Sequence, residues 1–247
     1  MNSSTEKSLS VIVPAFNEEG NIQNAIDSVL TAIKDLVDDY EIIVVNDGSS
    51  DNTEQLALAK RQGDERIRVI SNASNQGFGF SFARGVSLAG MNFLTVFPGD
   101  NDMAGESLRR LIENLGRADI VTSHPVSSHR RPFLRRFLSK SFIALMNILF
   151  GLNLKYYNGA FVARTSLIRL IPIKSTGLTA LAECLIRLIK AGHSYTSIPF
   201  EHVGRKAEKS KALYFKSVVA VAVLIIVLWK DLCWSSRLVH QKPVCSI

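Results

Sequence analysis

Along the first 123 residues, short β-branched runs alternate with stretches of helical periodicity, and three of those runs stop at polar, largely acidic clusters. Leu9 to Pro14 (LSVIVP) reads as a buried strand, followed by a loop at Asn17-Glu18-Glu19-Gly20. Ile22, Ala25, Ile26, Val29, Leu30 and Ile33 then recur at helical spacing. Glu41 to Asn46 is a second strand, and Asp47-Gly48-Ser49-Ser50-Asp51 is a turn in which Ser50 or Asp51 caps a helix running to about Gln62. Ile67 to Ile70 is a third strand, and the glycine-bearing loop Asn75 to Gly79 leads into a helix ending near Ala89-Gly90. Phe93 to Phe97 is a fourth strand, with Pro98-Gly99-Asp100-Asn101-Asp102 beyond its carboxyl end. A helix over Gly105–Leu115 and a strand over Asp119–Ser123 complete the alternation. Such alternation predicts an α/β fold with a mostly parallel central sheet covered by helices on both faces. Ligands of such sheets bind beyond the carboxyl ends of the strands, where Asn17-Glu18-Glu19, Asn46-Asp47 and Asp100-Asn101-Asp102 would converge.

The second half reads differently. Residues 1–100 carry 7 basic and 14 acidic side chains, whereas residues 101–247 carry 22 basic and 8 acidic ones. The basic residues cluster in HRRPFLRR (129–136) and VGRKAEKSK (203–211), which suits anionic partners such as phosphates or acidic headgroups, or a solvated basic face. Phe133 to Leu154 is largely apolar and suits an interfacial helix. Thr179 to Ala191 reads as a helix and Tyr195 to Pro199 as a short strand. Ser217 to Trp229 is 13 residues long, short of the roughly 20 that a span requires. It stays open between a membrane-surface helix, a buried or subunit-facing helix, and a span extended by its flanks. Trp229 and Trp234 beside Lys230 read as interface anchors.

Composition closes several classes. A 47% hydrophobic share excludes a disordered chain. Three scattered cysteines lack metal-ligand spacing, the five histidines are dispersed, and no Walker-type glycine loop or hydrolase signature is present. The polar start MNSSTEKS has no apolar core of a secretory signal, so a cytosolic or cytosol-facing protein is the expectation. The acidic first half argues against nucleic acid as a partner. Asp100 and Asp102 supply carboxylate oxygens suited to Mg²⁺ or Mn²⁺, whose remaining positions substrate phosphates would fill. Asp47 reads either as part of a capped turn or as a hydrogen-bonding group for a nucleotide base or ribose.

Four segments in this order, SVIVPAFNEEGNI, VVNDGSSDNT, NQGFGFSFARGVSLAG and TVFPGDNDM, resemble glycosyltransferase family 2, and the likeness runs from Leu9 to about Lys211. The resemblance implies a GT-A fold over residues 1–211, followed by a C-terminal apolar helix and tail over 212–247 that associates with membrane. It implies an inverting transfer from a nucleotide sugar, with Pro14, Phe16 and Glu18 lining the nucleotide pocket and Asp47 holding the base. Asp100 and Asp102 would hold the Mg²⁺ or Mn²⁺ on the diphosphate, with Asp102 the catalytic one of the two.

The dolichyl- and polyprenyl-phosphate sugar synthase branch fits further. Its arginine-rich segment is similar to Arg130, Arg131, Arg135 and Arg136, and its late basic motif to Arg205–Lys211, although Glu208 stands near the branch's usual glycine. Arg130, Arg131, Arg205 and Lys211 would then meet the acceptor phosphate. Members acting on hydroxyls carry a Glu-Asp pair on a late helix and a Q-x-x-R-W motif. Here AECLIRLIKAG (182–192) has Cys184 in the Asp position and the second motif is absent. Glu183 is therefore either a base or a residue directed at the metal-side loop. The expected partners are a nucleotide sugar, a polyprenyl phosphate lipid and the cytosolic membrane surface, with a small membrane-protein partner as a possible anchor. Two other readings stay open: transfer to a glycan hydroxyl, and a noncatalytic membrane adaptor, for which Asn101 and the Pro98-Gly99 lead-in leave room.

Overall fold

A computed structural model describes residues 7–126, 133–200 and 221–231, without the side chains of 133–138. The chain divides into two compact units, residues 1–206 and 207–247. In the first, the elements follow in order as β1 (Ser8–Ala15), α1 (Ile22–Ile33), β2 (Asp39–Asn46), α2 (Thr53–Gly63), β3 (Ile67–Ser71), α3 (Phe78–Leu88) and β4 (Phe93–Val96). Next come α4 (Gly105–Glu113), β5 (Ile120–Pro125), α5 (Phe133–Phe150), β6 (Phe161–Arg164), α6 (Thr165–Arg169), α7 (Thr179–Lys190) and β7 (Tyr195–Phe200).

The seven strands form one sheet in the order β3-β2-β1-β4-β6-β5-β7. β1, an interior strand third in that order, has all eight residues buried, which is why its sequence is mostly apolar from Leu9 onward rather than alternating. β1 pairs in parallel with β2 and β4, β2 with β3, and β5 with β7. α1, α2 and α4 pack together as one helical layer, and α3 packs with α6 and α7 as another. The inward stripe of α1 is Ile22, Ala25, Ile26, Val29, Ala32 and Ile33, with Ala32 buried and Leu30, expected in the stripe, only half-buried.

β6 departs from the expected alternation. It lies between β4 and β5 and is antiparallel to both. Because it runs backwards, the segment entering it arrives at the edge where β1, β2, β4 and β5 end. Ser123 Oγ and Thr95 Oγ1 pin that segment by donating to the carbonyls of Ala160 (2.7 Å) and Phe161 (2.8 Å).

Residues 221–231 of the second unit are helical, with Val223, Ile226 and Trp229 exposed. Among the described residues no helix is long and apolar enough to cross a membrane. The rest of the expected C-terminal segment lies outside the described residues.

Candidate active site

Folding brings the loops after β1, β2, β3 and β4 to one edge of the sheet. The first two are stitched together. Asn17, in a left-handed conformation (φ 55°), donates its N–H to Ser49 Oγ (3.0 Å) and accepts the Ser50 N–H on Oδ1 (2.9 Å). The Glu18 N–H reaches Thr53 Oγ1 at 2.7 Å, and Glu19 accepts the Asn52 N–H at 3.1 Å. Asp51 accepts the N–H of Thr53 at 3.0 Å and that of Glu19 at 3.1 Å, but the N-cap of α2 is Asn52, later than the Ser50 or Asp51 expected from sequence. Burial opposes charge on Asp51, but the bonds from Thr53 and Glu19 prevail and hold its carboxyl below the usual range. Pro14 is buried at the end of β1, Phe16 is 43% exposed over the edge, and Glu18 is half-buried.

Asp47, the residue after β2, is 3% exposed. Its Oδ1 accepts Asn72 Nδ2 (2.7 Å) and the Gln76 N–H (3.0 Å), and its Oδ2 accepts the Gly77 N–H (2.7 Å). The carboxylate thus holds the whole loop after β3 against the end of β2. Asn72 extends the network by donating to Ser81 Oγ (3.1 Å) and accepting Arg84.

After β4, Asp100 Oδ1 accepts the Asp102 N–H at 3.0 Å, and Asn101 between them has φ 54°. Both aspartates stay partly accessible. Asn101 Oδ1 is buried without a hydrogen-bond partner. The turn therefore offers two carboxylates and an unpaired amide oxygen, all hard donors that match Mg²⁺ or Mn²⁺. Among the described residues no group of three or more His, Cys, Asp or Glu surrounds such an ion, so substrate and water oxygens would complete its shell.

Glu183, on α7, is fully buried. Its Oε2 accepts the N–H groups of Lys174 (3.1 Å) and Ser175 (2.8 Å), and its Oε1 accepts Arg187 Nε (3.0 Å) and Nη2 (2.9 Å). The adjacent Cys184 is fully buried and its thiol is pushed up by that burial.

The order and placement of these loops agree with a family match. The model for glycosyl transferase family 2 covers residues 10–170. The chain belongs to this family. It is 25% identical over 229 residues to an undecaprenyl-phosphate mannosyltransferase of Micrococcus luteus, covering 88% of this chain and 92% of that protein. It is 38% identical over 90 residues to the dolichyl-phosphate beta-glucosyltransferase of Mus musculus, covering 34% of this chain and 28% of the mouse enzyme. The chain spans less than half the length of several curated relatives that it matches, the mouse enzyme among them. Solved structures of glucosyl-3-phosphoglycerate synthase from Mycobacterium tuberculosis share the fold. The complex with phosphoglyceric acid superposes with a TM-score of 0.71 at 21% identity, over 89% of this chain and 79% of that one. The complex with Mn²⁺, UDP and phosphoglyceric acid gives 0.69 at 20% identity, over 91% and 78%. The α/β architecture is therefore GT-A-like.

Within this family fold, the structure brings Pro14, Phe16, Glu18, Asp47, Asp100 and Asp102 to one sheet edge. Arg130, Arg131, Arg205 and Lys211 lie outside the described residues. Sequence reasoning missed Asn72 and Arg187. Arg187 had a signal, its i,i+4 spacing from Glu183. It also passed over His124, which sits at the end of β5 with Nδ1 2.8 Å from Ser197 Oγ. Burial and then the nearby Lys155 lower the His124 pKa.

Proposed function

We propose that this chain transfers a sugar, with inversion, from a nucleotide-diphosphate sugar to a polyprenyl phosphate at a membrane surface facing the cytosol. The observation that carries the acceptor class is Glu183. A hydroxyl acceptor needs a base with a free lone pair at the reacting oxygen. The α7 carboxylate has no exposure, and all four of its contacts are with groups of its own fold. A phosphate monoester needs no base, because its oxygens are already anionic at neutral pH. The Micrococcus and mouse relatives, an undecaprenyl-phosphate and a dolichyl-phosphate transferase, support the same acceptor class.

In this reading Pro14, Phe16 and Glu18 line the nucleotide pocket; Asp47, expected to hold the base, has both oxygens engaged by Asn72, Gln76 and Gly77 and shapes the pocket by fixing the 72–77 loop. Asp100 and Asp102 would hold Mg²⁺ or Mn²⁺, which when bound offsets the charge gathering on the departing nucleoside diphosphate. An acceptor phosphate oxygen attacks the anomeric carbon from the face opposite the leaving group. One carbon–oxygen bond forms, the bond to the diphosphate breaks, and the configuration inverts. No proton has to be removed. Arg130, Arg131, Arg205 and Lys211 are proposed as the cations that receive the acceptor phosphate, since guanidinium groups bind phosphate oxygens in pairs and the lysine ammonium adds a point charge.

The test is a lipid-extraction assay. Membranes containing the protein receive Mg²⁺ or Mn²⁺ and labelled UDP- or GDP-sugars, with Asp102→Ala in parallel. The expected result is label in the organic phase, released by mild acid and absent from the variant. Label only in hydroxyl-linked glycan would refute the phosphate acceptor. No transfer, together with no metal-dependent nucleotide binding, would refute catalysis and favour an adaptor.

A further inference from the structure

Arg187 and Glu183 form an ion pair that is 8% and 0% exposed. Removing two charges from water costs several kcal/mol per ion, so apolar residues of similar size would serve stability as well. The pair does more than neutralise itself. While Arg187 occupies Oε1, Oε2 receives two consecutive backbone N–H groups, those of Lys174 and Ser175. This fixes the loop before α7 at the point where it meets the start of α3. There the Thr176 carbonyl accepts the Gly79 N–H at 2.6 Å.

The seat is cut to fit. A Cβ on Gly79 would collide with the Ser175 carbonyl, and one on Gly77 would lie 2.6 Å from the Thr176 carbonyl oxygen. Gly77 also has φ 93°, a conformation that L side chains rarely adopt. The N–H of this same Gly77 binds Asp47 Oδ2. A continuous chain of contacts thus runs from Arg187 through Glu183, residues 174–176 and the glycine turn to Asp47 at the end of β2.

We propose that Glu183 and Arg187 are positioning residues for the nucleotide. They clamp the 174–176 loop onto the Gly77–Gly79 turn and so set, through Asp47, the wall of the pocket at the ends of β1 and β2. This rests on the reading that the crevice binds a nucleotide sugar. It does not rest on the identity of the acceptor.

The experiment measures UDP and GDP affinity in the presence of Mn²⁺ by calorimetry, with donor KM, kcat and the pH–rate profile wherever transfer is detected. Glu183→Gln leaves one oxygen where two are used, so it satisfies either Arg187 or the loop amides but not both. It should weaken the preferred nucleotide roughly tenfold and raise donor KM in parallel. The larger part of its effect should fall on KM, with the pH–rate profile keeping its shape. Gly79→Ala, which lifts the loop from the opposite side, should show the same signature, and the double variant should lose little more than either single one. Arg187→Lys, which retains the charge but not the paired geometry, should fall between wild type and Glu183→Gln. It also serves as the reporter should Glu183→Gln not fold, with thermal melts checking each variant.

Unaltered nucleotide affinity in folded Glu183→Gln would overturn the clamp. A kcat loss of a hundredfold or more at unchanged KM, with loss of a limb of the pH profile, would instead make Glu183 a base. Wild-type protein that binds neither nucleotide would overturn the clamp along with the crevice reading. Nucleotide binding that follows the expected pattern without any lipid product would sink only the acceptor assignment.

Discussion

Asp47→Ala is the most informative stability perturbation, because the structure specifies what the substitution would orphan. The carboxylate is 3% exposed and accepts three hydrogen bonds. Loss of the buried bond to Asn72 Nδ2 costs about 2 kcal/mol, and the half-buried N–H groups of Gln76 and Gly77 cost about 1 kcal/mol each, so the variant should lose about 4 kcal/mol. For a domain of this size that corresponds to a fall of roughly 8–16 °C in Tm. Asp47→Asn keeps one acceptor oxygen but turns an amide group toward an N–H, and should lie between wild type and Asp47→Ala. Urea denaturation of all three proteins, compared at constant m, gives the energies. Hydrogen exchange locates them, with the Gln76 and Gly77 amides speeding up before those of β1. A loss below about 1 kcal/mol, or protection at Gln76 and Gly77 unchanged from wild type, would refute the argument that this carboxylate holds the loop.

The other predictions concern packing and titration. Gly85→Ala places a Cβ 2.5 Å from Ile12 Cγ2 and should cost about 1–3 kcal/mol by denaturant unfolding, with Ile12→Val recovering part of it. The Arg66 guanidinium, assisted by the Tyr40 hydroxyl at 2.6 Å, holds the Asp64 carboxyl down to about 2. Because the folded pKa is the lower one, this contribution is complete above the ordinary carboxylate range and disappears as pH falls from about 4 to 2. Asp64→Asn should flatten stability across that window by less than about 1 kcal/mol, since the pair is at the surface. Cys184 should resist thiol reagents in the native protein and react once it is unfolded, as read by mass spectrometry of the labelled peptide.

Most strands could be read from the sequence because burial on both faces of a parallel sheet leaves a mostly apolar run, its few buried polar residues such as Ser10 and Glu41 bonded to each other. That holds for β1, where all eight positions are buried, and for β2, whose last six are. β6 has no comparable signal. It is four residues long, and its direction is set by partners on β4 and β5 that lie far away in sequence. Ala160-Phe161-Val162 reads as an apolar triplet, and nothing local states that it runs antiparallel. The sequence places the cap of α2 at Ser50 or Asp51 rather than Asn52, because Asp51 and its Thr53 contact lie in the same turn and give the same local signal.

The candidate site divides along the same physical line. Asp100, Asp102, Asp47 and Glu18 could be gathered from sequence because a topological rule places strand ends together, whatever their side chains then do. What they do depends on partners that carry no residue-type signature. The groups that engage Asp47 and Glu183 are largely backbone amides, of Gln76, Gly77, Lys174 and Ser175, and any residue but proline supplies one. A carboxylate in a family motif therefore reads the same on paper whether it is free for proton transfer or fully engaged by its own fold. For Glu183 the three-dimensional partners make the difference. With its lone pairs directed at Arg187 and two amides, Glu183 is the reason that the proposed reaction takes an acceptor that arrives already charged. The excess of 22 basic over 8 acidic side chains in residues 101–247 is the composition that such an acceptor would select.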